Sequence, residues 1–225
     1  MVDQSNAWMR LLHLVSPSLP TGAFAYSQGL EWAIEAGWIC DADTLQTWLT
    51  DLIHQSQTFV DIPILKRMYI ACRDRKEAEL TIWCDHLLAM RESNELRLEE
   101  QHRGRAMATL LKGLQMPFFN GALEIVCNCQ LAGFALAAAH WKIPLVQTAT
   151  GYLWSWLENQ VLVGIKTIPL GQTQGHIILL EMDEAIMEAV KRGLKVSDEN
   201  IGASNPALAI ASSLHETQYT RLYRS

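Results

Sequence analysis

The sequence predicts an all-α fold: a single domain of about ten helices around a central helix rich in alanine and glycine. Apolar side chains recur at helical spacing through most of the 225 residues, and no segment shows the two-residue alternation of a strand. One stretch, residues 121–141, is apolar on nearly every side. Because small side chains let neighbouring helices approach closely, we place that stretch at the centre of the bundle.

Composition and charge narrow the function classes. The chain is 49% hydrophobic and 19% charged, which is typical of a globular protein with a large core or a covered apolar surface. A net charge of −6 without a local basic stripe argues against nucleic-acid binding. Residues 1–6 lack the basic start of an export signal, and the long apolar stretches are too short or too interrupted to span a membrane. We therefore expect a cytoplasmic protein.

The first helices are punctuated by proline and glycine. A helix over 7–15 should end at Pro17, and a second over 22–36 should close at Gly37, a position that favours positive φ. Asp41 or Asp43 should cap the third helix. Further on, Pro63 should kink or restart the chain before residues 64–73.

The middle of the chain carries an amphipathic helix over 77–91 and then a charged helix opened by Ser93 or Asn94. Residues 95–105 of that helix are rich in acidic and basic side chains. We expect a solvated face with ion pairs four residues apart, although such a run also suits a charged partner.

The C-terminal third should contain a helix that begins at Pro144, a helix over 172–194, and a last helix that Asn205 caps with Pro206 as its first residue. A flexible tail over 216–225 should follow, because it has little apolar surface to bury. The whole chain, 1–225, is thus expected to form one domain.

No residue pattern points to catalysis, a cofactor or a metal. Cys127 and Cys129 form a C-x-C pair, but positions two apart on a helix diverge by roughly 200° and do not share a tetrahedral metal. The five cysteines favour free, buried, reduced thiols. Phosphate-binding loops and nucleophile–base spacings are missing from the sequence, so we expect an interaction protein rather than an enzyme.

A signature near the start, S-P-x-L-P-x-G-x-F-x-Y-S-x-G-L-E over residues 16–31, resembles that of the urease accessory protein UreF family. Three further pieces resemble the same family in the same order: A-T-G at 149–151, K-T-I-P-L-G-Q at 166–172, and H-E-T-Q-Y-T-R-L-Y-R-S at 215–225. The resemblance covers nearly the whole chain.

The resemblance implies an all-helical, non-catalytic adaptor of nickel-urease maturation that is a homodimer in its working complex. Its partners would be the UreD (or UreH) scaffold, the UreG GTPase and apo-urease, and it would couple GTP hydrolysis to nickel insertion. The partner-binding residues that follow from the resemblance are Tyr26, Glu31, Lys166, Tyr219, Arg221, Tyr223 and Arg224.

Simpler roles compete at several of these positions. Glu31 can cap or pair within its own helix, Lys166 can form an internal salt bridge, and Tyr26 can belong to the core. Two other functions also remain open at this stage. One is a helical enzyme or binder that holds an apolar small ligand in a Trp-rich centre; the other is a GTPase-activating protein with an arginine finger.

Overall fold

The computed structural model describes the backbone of residues 2–225 and side-chain environments from Asn6 onward. Within these residues there is no strand, and the predicted all-α fold is confirmed. The expectation about an export signal concerns residues 1–6, most of which lie outside the described side chains. The α-helices are α1 (Val2–Leu14), α2 (Leu30–Glu35), α3 (Ala42–Leu52), α4 (Ile62–Arg73), α5 (Glu77–Met90), α6 (Asn94–Gly113), α7 (Ala122–Asn128), α8 (Gln130–His140), α9 (Leu145–Thr167), α10 (Gln172–Glu181), α11 (Asp183–Gly193) and α12 (Pro206–His215).

Helix α8 is the centre of the bundle, as the alanine- and glycine-rich sequence predicts. Residues 130–138 are all buried, and the helix packs against α1, α4 and α6. A Cβ atom at Gly133 would lie 2.5 Å from the side chain of Met107 and 2.9 Å from that of Val126. The missing side chain therefore allows α6 and α7 to pack closely on α8.

The single helix predicted over 121–141 is wrong, because the chain forms two helices, α7 and α8, that meet at Cys129. Cys129 is extended, with φ −147° and ψ 112°. The carboxylate of Glu100 accepts the backbone N–H groups of Gln130 at 3.1 Å and Leu131 at 3.4 Å. A buried anion thus satisfies donors that a new helix leaves free at its N-terminus.

Pro63 does not interrupt its helix in the way that we predicted. Helices α3 and α4 form one continuous run, joined by a π-helical segment over Ile53–Asp61. At its end the N–H of Ile62 donates to the carbonyl of Gln57, five residues earlier. We attribute the wider turn to Pro63, which has no N–H and whose ring would clash with a carbonyl one α-helical turn back.

Three of the predicted helix starts are confirmed. Asp41 accepts the N–H of Thr44 at 2.9 Å and forms a capping box with it. The side chains of Ser93 and Asn205 likewise accept a backbone N–H three residues further on. These caps fix where α3, α6 and α12 begin.

The helix predicted over 172–194 is divided at Met182, so this expectation also needs correction. Met182 is buried, and its ψ of 3° turns the chain between α10 and α11. Helix α10 then packs on α9, whereas α11 packs on the π-helical segment. Within residues 2–225, none of the helices combines the length and apolarity needed to cross a membrane.

Candidate partner-binding site

The N-terminal signature is mostly a compact loop rather than the helix predicted over 22–36. A 3₁₀ turn covers Ala23–Ala25, and Gln28 and Gly29 both have positive φ, of 55° and 80°. Helix α2 therefore begins only at Leu30. Left-handed backbone at two successive residues ends one turn and redirects the chain into the next.

Gly29 is also the point where the signature touches the last helix. A Cβ atom there would lie 2.7 Å from the backbone N of Ser212 on α12. Only a glycine permits this approach of two backbones. The C-terminal helix is therefore held directly against the signature.

The C-terminal residues return to the signature and pair with it through backbone hydrogen bonds. The N–H of Arg224 donates to the carbonyl of Ala25 at 2.8 Å, and the N–H of Ser27 donates to the carbonyl of Ser225 at 2.6 Å. The hydroxyl of Ser27 donates to that same carbonyl. We call this pairing of residues 222–225 with Ala25, Ser27 and Glu31 the tail clasp.

Glu31 is the anchor of the tail clasp. Its carboxylate accepts the N–H of Leu222 at 2.6 Å and the N–H of Tyr223 at 3.0 Å. It also lies 3.1 Å from Nε2 of His215. Glu31 is 7% exposed, so its charge faces the protein's own tail instead of the solvent.

Four charged side chains form a cluster beside the clasp, which we call the His215 cluster: Glu31, Glu95, His215 and Arg221. Nδ1 of His215 lies 2.6 Å from Oε2 of Glu95, and Arg221 Nη1 donates to Oε1 of Glu95 at 2.6 Å. The imidazole is fully buried. This cluster ties α2, α6, α12 and the tail together.

A second set of buried charges lies between the π-helical segment, the end of α5, α6 and α9. Arg91 bonds both oxygens of Asp61, at 2.8 and 3.0 Å, and Glu100 at 2.6 Å. The hydroxyl of Tyr152 donates to Asp61 at 2.8 Å. Burial by itself would lower the pKa of Arg91, but Asp61 and Glu100 raise it well above its usual value. Arg91 therefore stays charged and pairs with both carboxylates.

Glu99 links this interior to the tail clasp. One of its oxygens accepts from Gln28 at 3.0 Å and from Arg103 at 2.6 Å. The other oxygen bonds the hydroxyl of Ser225 at 3.2 Å. Burial opposes the charge on Arg103, yet Glu99 and Glu100 raise the pKa of that guanidinium. The charge-rich segment 95–105 is consequently not a purely solvated face, as we had expected.

Three of the predicted site residues point into the protein. Tyr26 is 4% exposed, its hydroxyl lies 3.4 Å from Nδ1 of His102, and its carbonyl accepts from Asn159. Glu31 and Tyr223 are also buried. Burial chiefly, and the charge of Glu31 secondarily, raise the pKa of Tyr223. Glu31 and Tyr223 belong to the clasp, Tyr26 packs beside it, and none of the three side chains is presented at the surface.

The other predicted site residues are at the surface. Lys166 is exposed at the end of α9 and, among the described residues, takes part in none of the ion pairs. Tyr219 is entirely exposed, Arg224 is exposed, and Arg221 is held by Glu95. An internal salt bridge of Lys166 is therefore not seen in this structure.

The tail differs from the flexible segment that we expected. Residues 222–225 are held by the five hydrogen bonds of the clasp and by a sixth from Ser225 to Glu99, and Tyr223 and Ser225 are buried. The sequence did not predict this packing, because most of the hydrogen bonds involve backbone N–H and C=O groups, which every residue carries whatever its side chain. Glu95, Glu99 and His215 were missed for a related reason: hydropathy does not reveal which charges are paired inside.

The interior offers little space for a small ligand. A cavity of about 70 Å³ lies between the signature loop and α9, and Arg103, Gln130 and Asn159 contribute to its wall. Sites for drug-sized ligands usually measure about 300–1,000 Å³. A depression of about 730 Å³ along residues 192–204 is wide open to solvent. The alternative of an apolar ligand in a Trp-rich centre gains no support from either.

The cysteines are all free, but they are not all buried. Cys40 is exposed, Cys127 is half-buried, and Cys72, Cys84 and Cys129 are buried. Within the described residues no group of three or more histidine, cysteine or acidic side chains is arranged to hold a metal ion. The C-x-C pair is split by the end of α7, with Cys129 between the two helices.

Comparison with known proteins places this chain among the urease accessory proteins. The family model described as UreF matches residues 39–183. The chain belongs to the UreF family.

Relatives across several bacteria match almost end to end. The urease accessory protein UreF of Alcanivorax borkumensis is 48% identical over 231 residues, which cover 98% of this chain and 99% of its own. That of Pseudomonas putida is 46% identical over 227 residues and covers 100% of both chains. That of Hahella chejuensis is 42% identical over 219 residues, with 97% and 98% covered.

Proposed function

We propose that this protein is a non-catalytic adaptor in urease maturation. It bridges the UreD/UreH scaffold and the UreG GTPase in the cytoplasm and couples GTP hydrolysis to nickel insertion into apo-urease. Two copies of the chain act in the working complex, and nickel is cargo of that complex. Membership of the UreF family supports the role in urease maturation.

The observation that carries the scaffold contact is the apolar surface of the closed tail. Tyr219 is fully exposed and Leu222 is 74% exposed, although hydrogen bonds hold the neighbouring backbone in place. Leu214 on α12 adds a third exposed apolar side chain from the same segment. Apolar groups presented on a fixed backbone are typical of a docking surface, because their burial needs little further ordering.

The GTPase contact is supported by Lys166. A long cationic side chain without an internal partner is available to pair with an acidic surface, and such pairs chiefly set specificity and association rate. Because Arg221 is bound to Glu95, the arginine-finger alternative depends on Arg224, whose side chain is exposed.

The scaffold contact is tested with the double variant Tyr219→Ala/Leu222→Ala in a pull-down with purified UreD/UreH. Both side chains are exposed, so the fold should persist while scaffold affinity falls at least about tenfold. Ile82→Ala, at a half-exposed apolar position on α5, is the matched control and should bind normally. Undiminished binding by the double variant would remove the tail from the scaffold interface.

The GTPase contact is tested with Lys166→Ala, and Lys112→Ala at an exposed position on α6 serves as control. We expect weaker UreG binding for the first variant alone, without a change in melting temperature. Turnover of GTP by UreG in the presence of Arg224→Ala then separates the roles. Lost stimulation would indicate an arginine finger, whereas an unchanged rate with failed urease activation would indicate coupling.

A further inference from the structure

We infer that His215 is a proton-controlled latch, closed while both ring nitrogens carry a proton, that holds the C-terminal tail on the N-terminal signature. The ring is the last residue of α12 and is fully buried between two carboxylates. Nε2 faces Glu31 at 3.1 Å, and Nδ1 faces Glu95 at 2.6 Å. Glu31 in turn holds the backbone of Leu222 and Tyr223.

Hydrogen-bond accounting places one proton in each of the two contacts between the ring and its carboxylates. A neutral imidazole has one N–H and one lone pair, whereas an imidazolium has two N–H groups. Glu31 already accepts two backbone N–H groups, and Glu95 accepts from Arg221, so both carboxylates act as acceptors. In the neutral form one nitrogen lone pair would face a carboxylate oxygen inside the protein, which is repulsive.

Charge accounting leads to the same protonation state. Two carboxylates face the ring, one from α2 and one from α6, and Arg221 of the tail supplies a single positive charge. The His215 cluster is neutral when the imidazole is the second cation, and an unbalanced buried charge is costly. The C-terminal end of α12 also favours a cation there.

The other acidic groups nearby are engaged elsewhere. Glu216 accepts the backbone N–H groups of Asn94 and Glu95 at the start of α6, and Glu35 on α2 accepts from Gln218. They add negative potential without reaching the ring. Loss of one proton from His215 therefore breaks a contact with either Glu31 or Glu95, and the tail loosens at its anchor.

The latch makes the exposure of the ordered tail surface depend on pH. Its significance for scaffold binding rests on the proposed function, because an open tail would no longer present Tyr219 and Leu222 on a fixed backbone. Closure is favoured below the pH at which the cluster gives up its proton and is lost above it. A one-proton step changes the ratio of open to closed tail by up to about tenfold per pH unit.

The test is an NMR pH titration of the full chain that follows the ring nitrogens of His215 and the amide signals of Leu222 and Tyr223. We expect the ring to lose its second proton and the two amides to lose their hydrogen-bonded shifts with one shared midpoint. The inference is overturned if the amides stay unchanged while the ring becomes neutral, or if the ring is neutral in the closed tail.

Two variants make the titration specific. In His215→Gln the tail amides should no longer respond to pH in that range, whereas His140→Gln, at an exposed position, should behave like the unaltered chain. A pH response that persists in His215→Gln would also count against the latch. Scaffold binding is measured separately with Tyr219→Ala/Leu222→Ala at a pH that keeps the tail closed, so failure of the proposed function leaves the latch result standing.

Discussion

The carboxylate of Glu31 accepts the backbone N–H of Leu222 at 2.6 Å across 191 positions of sequence. This contact joins the N-terminal signature to residues 222–225, and it explains the charge at Glu31 without a partner protein. A carboxylate that accepts backbone N–H groups in a buried site makes strong, charge-assisted hydrogen bonds. The signature and the tail are thus two halves of one structural unit.

Replacing Glu31 by glutamine should open the tail clasp. The amide nitrogen brings a donor toward backbone N–H groups, so we expect the closed tail to lose about 1–3 kcal/mol. Hydrogen exchange at Leu222 and Tyr223 measures the loss. Glu124→Gln, at an exposed position on α7, should leave exchange unchanged; equal protection in both variants would contradict the anchoring role.

Replacing Arg91 by alanine should strongly destabilise the whole domain. It leaves Asp61 and Glu100 buried without their cation, and breaking a buried pair in this way typically costs about 3–5 kcal/mol. Urea unfolding gives the free energy of unfolding. Arg73→Ala removes an exposed pair with Asp74 and should change little. Similar stability of both variants would mean that the buried network is not rigidly closed.

The substitution Gly29→Ala should be worse than Gly37→Ala, although both residues have similar positive φ, 80° and 75°. At Gly37 an added Cβ has nothing within 4 Å, so only the backbone strain of a left-handed residue, roughly 1–2 kcal/mol, applies. At Gly29 the Cβ would lie 2.7 Å from Ser212 N, and the backbones must separate. Thermal unfolding measures the melting temperatures of the two variants. Equal melting temperatures would show that α12 moves away from residue 29 at little energetic cost.

Buried thiols should make the protein less stable at alkaline pH. Burial raises the pKa of Cys72 from 9.0 to about 12. Because the unfolded thiol ionises first, unfolding releases a proton between these values. The free energy of unfolding should then fall as pH rises, by up to about 1.4 kcal/mol per unit for this group.

Urea unfolding from pH 8 upward checks the slope. Cys72→Ala should reduce it, whereas Cys40→Ala should leave it unchanged because Cys40 is exposed. Alkylation of the folded protein gives an independent reading, since Cys40 should react well before Cys72 and Cys129, whose pKa is raised by burial as well. Equal slopes in both variants would contradict the prediction.

Local motifs and the periodicity of apolar residues were sufficient to predict much of the fold from the sequence. Helical spacing gave the all-α class, the alanine-rich run gave α8 as the centre, and short polar motifs gave the caps at Asp41, Ser93 and Asn205. Each depends on residues a few positions apart. The signature and tail motifs were likewise sufficient to indicate the family.

Only the tertiary structure decided which charges are internal and how the two ends of the chain meet. Glu100, which lies on α6, accepts a backbone N–H at the start of α8. Glu31 and His215 hold a tail that the composition alone had suggested was flexible. The sequence does not show whether a charged side chain is hydrated at the surface or paired with a buried partner. Partners more than a hundred residues apart are brought together by packing, and only their geometry shows which role each charge has.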